Sequence, residues 1–157
     1  MEPQTNPIPP GFHTLTPFLV VKDVVESIDF CRRAFNAREI YHMEVGNMEH
    51  AELEIGDSRI MLSRENADHG WLTPSTIHGN TCGLYIYVTD VDAAFDQAVN
   101  AGGKAMMTPA DMFWGDRMGE LIDPSGHRWS LATHKVDLKP EEIRQRAEEY
   151  FASIAKG

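Results

Sequence analysis

The strongest constraint on this chain is that its sequence repeats. Residues 67 positions apart match: Val21 with Val88, Asp23 with Asp90, Val24 with Val91, Asp29 with Asp96, and Ala34 with Ala101. Phe18 falls on Tyr85 and Ile28 on Phe95; further along, Ile55 falls on Ile122 and Ser58 on Ser125. A two-residue insertion then moves the spacing to 69, where Arg59 meets Arg128 and Leu62 meets Leu131. Each identity is weak alone, but a shared spacing over a shared order of elements argues for internal duplication.

The order of elements comes from local patterns. His13–Val21 is rich in β-branched and apolar residues, as a strand is. Asp23 and Glu26 have the form of a capping box, and Val24, Val25, Ile28, Cys31 and Phe35 follow at helical spacing. Arg38–Val45, Met48–Ile55 and Arg59–Ser63 then read as strands separated by Gly46-Asn47 and Gly56-Asp57-Ser58. Glu65–Asn80 is a polar connector. The second half repeats the pattern: strand Cys82–Val88, a helix capped by Asp90 and stopped at Gly102-Gly103, then strands at Lys104–Met107, Arg117–Ile122 and Arg128–Thr133. Pro140-Glu141-Glu142 opens a last helix whose Ile143, Ala147, Tyr150, Phe151 and Ile154 make one apolar stripe, suited to the body or to a subunit boundary. The expected organisation is a flexible lead-in over residues 1–12, one domain over 13–135 made of units at about 13–65 and 81–135, and a C-terminal helix over 136–157.

Composition narrows the function. With 24 Asp and Glu against 14 Lys and Arg, the formal charge is −10, which repels a phosphate backbone and argues against nucleic-acid binding. The apolar runs are far shorter than the ~20 residues that span a bilayer, and Met1–Gly11 lacks the pattern of a signal peptide. Two cysteines, Cys31 and Cys82, suit a reduced cytoplasmic protein.

A duplicated β-α-β-β-β unit carrying Leu19-Val20-Val21-Lys22-Asp23, Tyr87-Val88-Thr89-Asp90-Val91-Asp92 and Asp123-Pro124-Ser125-Gly126-His127-Arg128-Trp129 resembles the vicinal oxygen chelate superfamily. That superfamily holds glyoxalase I, bleomycin-resistance proteins and extradiol dioxygenases. Met112-Phe113-Trp114-Gly115-Asp116-Arg117 and Ala132-Thr133-His134-Lys135 resemble its phosphonate-operon-associated branch. The resemblance implies an α+β fold in which two βαβββ units form an open, cup-shaped mixed sheet with helices outside. It also implies a ligand on the concave face and favours a homodimer. It leaves the chemistry open, because one scaffold hosts many reactions.

Metal-dependent members carry ligands early in the first strand and in the last strand of each unit. The matching positions here are Thr16, Met61, Gly83 and Ser130, none of them His, Glu, Asp or Cys. Hydroxyls and a thioether are poor ligands for the metals such enzymes use, so no metal and no other cofactor is expected.

Strand alternation then selects candidate site residues. Ala51, Leu53 and Ile55 should face the helices, leaving His50 and Glu52 on the concave face within roughly 7 Å of each other. They could form an acid–base pair, seed a relocated metal site, or merely solvate a half-exposed strand. The same alternation puts Arg117 on the concave face, at the position that matches His50 in the second unit, where it could grip a carboxylate or phosphate, or bridge to Glu52 or Asp116. Trp114 would stand at the rim, and Tyr85, Tyr87, Phe18 and Met61 would line the cup for a bulky apolar ligand. His134 shares a face with Arg128 and Ser130 and could enter the cup, whereas His127 should face the helices.

Three functional readings follow. The first is a metal-independent binder of a small organic molecule, or a cofactor-free isomerase or lyase in which His50 with Glu52 moves a proton. The second is an antibiotic-sequestering protein, favoured by the negative charge if its ligand is cationic. The third is a glyoxalase I-type metal enzyme with relocated ligands.

Overall fold

The computed structural model of the protein describes residues 5–155. The first unit runs β1 (Phe18–Val21), α1 (Val24–Phe35), β2 (Arg38–Val45), β3 (Met48–Ile55) and β4 (Ser58–Arg64). A connector holding a one-turn 3-10 helix at Ala67–His69 and a short helix α2 (Pro74–Ile77) leads to the second unit. That unit runs β5 (Gly83–Tyr87), α3 (Val91–Asn100), β6 (Lys104–Asp111), β7 (Asp116–Ile122) and β8 (Arg128–His134), and α4 (Pro140–Ile154) follows it.

Both long unit helices start where an aspartate caps them. Asp23 accepts the Glu26 N–H at 2.8 Å, and Asp90 accepts the Ala93 N–H at 3.1 Å, each satisfying an amide that the helix itself leaves open. Val24, Ile28, Cys31 and Ala34 on α1, and Val91, Phe95 and Ala98 on α3, are buried at helical spacing. They cover one face of each sheet: Ala51, Leu53, Ile60 and Leu62 in the first unit, Leu121, Trp129 and Leu131 in the second. Phe35 at the end of α1 reaches Trp129 with ring centroids 4.7 Å apart, so the core is continuous across the two units. Gly119 lets α3 lie this close, because a Cβ there would stand 2.9 Å from the Phe95 ring.

The strand orders are β1-β4-β3-β2 and β5-β8-β7-β6, with β1–β4 and β5–β8 parallel and the other pairs antiparallel. These are two four-stranded mixed sheets, one from each βαβββ unit, as the expected fold requires. No strand of one sheet pairs with a strand of the other among the described residues, so β1 and β5 each keep a free edge.

Strand pairing corrects the spacing read from the sequence. Glu54 pairs with Arg59 and Ile122 pairs with Arg128, so Glu54, not Ile55, occupies the place of Ile122. The equivalence through β7 is therefore 68. Of the two inserted residues, one lies in the turn after β7; the other is absorbed before Asp116, where β6 carries two register shifts. A one-residue slip exchanges the faces of a strand, and Arg117 is the residue it moves. Arg117 pairs with Thr133 on the helix side, where its guanidinium meets Asp92 of α3 at 2.7 and 2.8 Å and Asp111 at 3.3 Å. It bridges to neither Glu52 nor Asp116. The position equivalent to His50 belongs to Met118.

Candidate functional site: a tyrosine-paved sheet face and its counterpart

On the second sheet, the face turned away from the helices carries Tyr85, Tyr87, Ser130, Ala132, His134, Asp116, Met118 and Glu120. Pairing sets them in rows: Tyr85, Ser130 and Glu120; Tyr87, Ala132 and Met118; then His134 and Asp116. The tyrosines stand on β5 and Asp116 on β7, two strand spacings or about 9.6 Å apart. Both phenols nevertheless donate to Asp116 Oδ2, Tyr85 at 2.9 Å and Tyr87 at 3.1 Å. Each side chain must therefore lie across β8. Ala132 and Ser130 are consequently 0% and 8% exposed despite pointing outward, while Tyr85 and Tyr87 are 44% and 64% exposed.

Asp116 is the centre of this arrangement. Trp114 Nε1–H donates to the same Oδ2 at 3.2 Å, and His134 Nδ1 meets Oδ1 at 2.7 Å. The carboxylate is nearly buried, and burial works against its ionisation; the hydrogen bonds from His134, Tyr85, Tyr87 and Trp114 outweigh that and hold its pKa below the usual range. Burial, offset in part by the Trp114 bond and reinforced by the neighbouring Asp116, pushes Tyr85 up to about 12. Tyr87 is raised by burial and by its bond to Asp116. His134 is raised through Asp116 and through Asp137, whose Oδ1 meets Nε2 at 2.9 Å.

Backbone geometry sets Trp114 and Asp116 in place. Met112 to Gly115 form a tight turn, with the Gly115 N–H donating to Met112 O at 3.1 Å. Gly115 has φ +103°, and a Cβ there would run into the Val136 carbonyl. Its own carbonyl accepts from Lys135 and Val136, both at 3.0 Å. The chain following His134 is thereby tied to the turn bearing Trp114. Phe113 in the same turn touches Tyr150 and Phe151, which is where α4 meets the body. Along the apolar stripe of α4, Ile143 and Ala147 are half-buried, whereas Tyr150, Phe151 and Ile154 stay exposed, Ile154 at 58%.

The first sheet brings together the other predicted residues. Phe18, His50, Glu52 and Met61 share its outer face, with His50 opposite Ser63 and Glu52 opposite Met61. His50 Nε2 lies 3.7 Å from Glu52 Oε1, an ion-pair distance too long for a hydrogen bond. Phe18 stands edge-on to His50 at 5.7 Å and to Trp71 at 5.0 Å, and Tyr41 lies 6.5 Å from His50. The lead-in covers part of this face: Pro7, Pro9, Phe12 and Thr16 enclose a cleft of ≈ 480 Å³ with Glu52 and Met61. A second groove of ≈ 570 Å³ runs between the β5 edge and the first unit, walled by Leu84, Ile86, Trp129, Phe35 and Ile55.

Thus four predicted residues, Tyr85, Tyr87, Trp114 and His134, form one cluster, and Phe18, His50, Glu52 and Met61 form another. Arg117 joins neither. Sequence reading missed Asp116, Trp71, Tyr41 and Glu120. Asp116 and Glu120 were hidden by the slipped register; Trp71 is delivered by the loop that pairs Asn66 with Trp71. At the expected metal positions, Met61 and Ser130 face outward at equivalent places, opposite Phe18 and Tyr85, but with Thr16 and Gly83 they offer no donor set that suits the superfamily's metals. No group of three or more His, Cys, Asp or Glu that could hold a metal occurs among the described residues.

The sequence profile of the Glyoxalase/Bleomycin resistance protein/Dioxygenase superfamily matches residues 11–131. The chain belongs to this superfamily. A protein of Mycobacterium tuberculosis, Rv0887c, is 36% identical over 135 residues, covering 83% of this chain and 79% of its own length. Mb0911c of Mycobacterium bovis is equally similar and is covered over 89% of its length. Among solved structures, TioX from Micromonospora sp. ML1 aligns with a TM-score of 0.61 at 25% identity, covering 78% of this chain and 98% of that one. The fosfomycin resistance protein FosX of Listeria monocytogenes aligns with a TM-score of 0.64 at 18% identity over 83% and 97%, a likeness of fold. The βαβββ duplication is thus the superfamily's, and its outer sheet faces are where this chain concentrates aromatic and titratable side chains. No helix among the described residues is long and apolar enough to cross a membrane.

Proposed function

We propose that the protein binds a small organic molecule on the outer aromatic faces of its sheets, without a metal, and moves a proton on it with His50. The observation that carries this is the Asp116 cluster. One nearly buried carboxylate orders two phenols, an indole and an imidazole on a solvent-facing surface, an arrangement a merely solvated face does not need. The metal-free part rests on the donors at Thr16, Met61, Gly83 and Ser130. The proton-transfer part rests on His50, held between Phe18 and Tyr41 with Glu52 beside it, an arrangement in which a carboxylate can orient an imidazole as general base.

In this reading the protein is a cytoplasmic homodimer of the phosphonate-operon-associated branch. The free β1 and β5 edges and the exposed end of the α4 stripe favour a second copy, and two unbridged cysteines, one of them buried, favour a reducing compartment. The Met112–Arg117 segment supports the branch.

The test is a small-molecule screen on protein treated with a chelator, read by the Trp114 indole resonance and by size in solution. Ligands that shift Trp114 and survive chelation are expected. His50→Ala should keep their affinity within about 3-fold while lowering turnover by a factor of about 10²–10⁴. Binding that disappears with the metal would overturn the metal-free reading. Unchanged turnover in His50→Ala would remove His50 as the proton carrier, and binding without any turnover in the parent protein would leave sequestration as the function.

A further inference from the structure

The paved face of the second sheet has a definite chemical preference. Tyr85 and Tyr87 lie across β8 with ring centroids 5.2 Å apart and planes tilted by 51°, and both rings remain exposed, Tyr85 at 44% and Tyr87 at 64%. Their only hydrogens able to bond are spent inward on Asp116, as is the Trp114 indole N–H. A ligand therefore meets π-density and oxygen lone pairs, and none of the three aromatic side chains has a donor left to offer. Electrostatics point the same way. His134 is shared between two carboxylates, Asp116 and Asp137, so even as an imidazolium it leaves an excess of negative charge. Glu120, in the same row as Tyr85, has Ser130 Oγ at 3.3 Å as its hydrogen-bond donor and makes no ion pair among the described residues. Arg117, which would have reversed this balance, is held on the opposite face by Asp92 and Asp111.

We propose that the surface formed by Tyr85, Tyr87 and Trp114, with Glu120 beside it, is a site for an organic cation, a quaternary or protonated amine whose charge rests on the tyrosine faces. A ring quadrupole attracts such a charge, and the attraction grows where carboxylates stand behind and beside the rings. An anion would meet the same groups with the opposite sign and find no free N–H or O–H on the aromatic surface. The net charge of −10 draws cations toward the protein from a distance. The inference deepens the small-molecule reading above and rests on it.

The test compares choline with 3,3-dimethylbutan-1-ol, in which a carbon replaces the charged nitrogen without changing the shape. Both are used as probes and titrated against the Trp114 indole N–H resonance of the full-length protein. Choline is expected to bind about 3- to 30-fold more tightly than the neutral alcohol. Tyr87→Leu should reduce that ratio to below about 2-fold, whereas Tyr87→Phe, which keeps the ring, should preserve most of it. Tyr87 is 64% exposed, so both variants should fold, as an unchanged melting temperature would verify. Glu120→Gln provides a second reading: it should weaken choline several-fold and leave the alcohol unaffected. Equal binding of the two probes, or a preference that survives Tyr87→Leu, would overturn the cation assignment while leaving the small-molecule reading intact. If neither probe moves Trp114 while other screened molecules do, the cation assignment fails alone. If nothing moves it, both fail.

Discussion

Each sheet buries one carboxylate near the same end, and the two point in opposite directions. Glu49 of β3 is 2% exposed and faces the helix side, where it pairs with Arg64 and with His42 at 3.0 Å. Asp116 of β7 is 4% exposed and faces outward, under the tyrosines. In the pairing of the two units Glu49 corresponds to Arg117, and Asp116 is the next residue along. A single position along a strand therefore separates a carboxylate that braces the fold from one that organises a surface. Burial alone does not distinguish them; the face does.

Removing each network should break this comparison in different ways. Arg64→Met strands Glu49 with His42 as its remaining partner, and is expected to cost about 3 kcal/mol in urea unfolding, the low end for an uncoupled buried charge. Ligand binding should be unchanged, because the affected groups lie on the helix side. Asp116→Asn keeps the size but halves the acceptors available to four partners, Tyr85, Tyr87, Trp114 and His134, at a cost of about 2 kcal/mol. Its larger effect should be on the surface: Tyr85 and Tyr87 lose the anchor that holds them across β8, and binding monitored at Trp114 should fall at least 10-fold. Parallel losses of binding in both variants would show that the faces are not separate.

Parity also explains what could be read from the sequence. Helix caps at Asp23 and Asp90, the ends of β2 and β3, and the aromatic face of β5 all follow from local patterns, and they recur in the structure. Tyr85 and Tyr87 lie on the face that alternation with Leu84, Ile86 and Val88 predicts, a local pattern that no shift in spacing disturbs. Arg117 does not lie on its expected face, because the two extra residues of the second unit sit on either side of β7, where no identity marks the boundary. The same slip concealed Asp116, the group that gives the tyrosines their orientation. Trp71 and the short helix α2 were unreadable for another reason. They depend on tertiary bonds, such as Glu65 accepting from Thr73 and Thr76, that a polar connector does not advertise.

Gly115→Ala sharpens the comparison from the backbone. The residue would have to keep φ near +103° and find room against the Val136 carbonyl, at a cost of about 1–2 kcal/mol. Since the turn carries both Trp114 and Asp116, the binding face should loosen along with stability. Gly119→Ala would instead press on Phe95, on the helix side, and should lower the melting temperature with no change at Trp114.

The smallest effect should be one of pH, and it should belong to the outward network alone. Folding raises the His134 pKa above its ordinary 6.5, chiefly through Asp116 and then Asp137. A group raised on folding contributes stability that is fully present below its unfolded pKa and lost as pH rises through the folded value. Asp116 is depressed, so its contribution is present above the ordinary carboxylate value of 3.8 and lost as pH falls through its lower folded value. Between these limits, from about pH 4 to 6.5, both contributions are present. The difference in stability between the parent protein and His134→Gln should therefore be largest in that interval and shrink as the pH is raised beyond 6.5. Its shrinkage should track the imidazole resonances of His134 itself, titrated by NMR. A difference that grows above pH 6.5 would mean that His134 is not held as a cation by Asp116 and Asp137, and that the outward carboxylate is organised by the tyrosines and Trp114 alone.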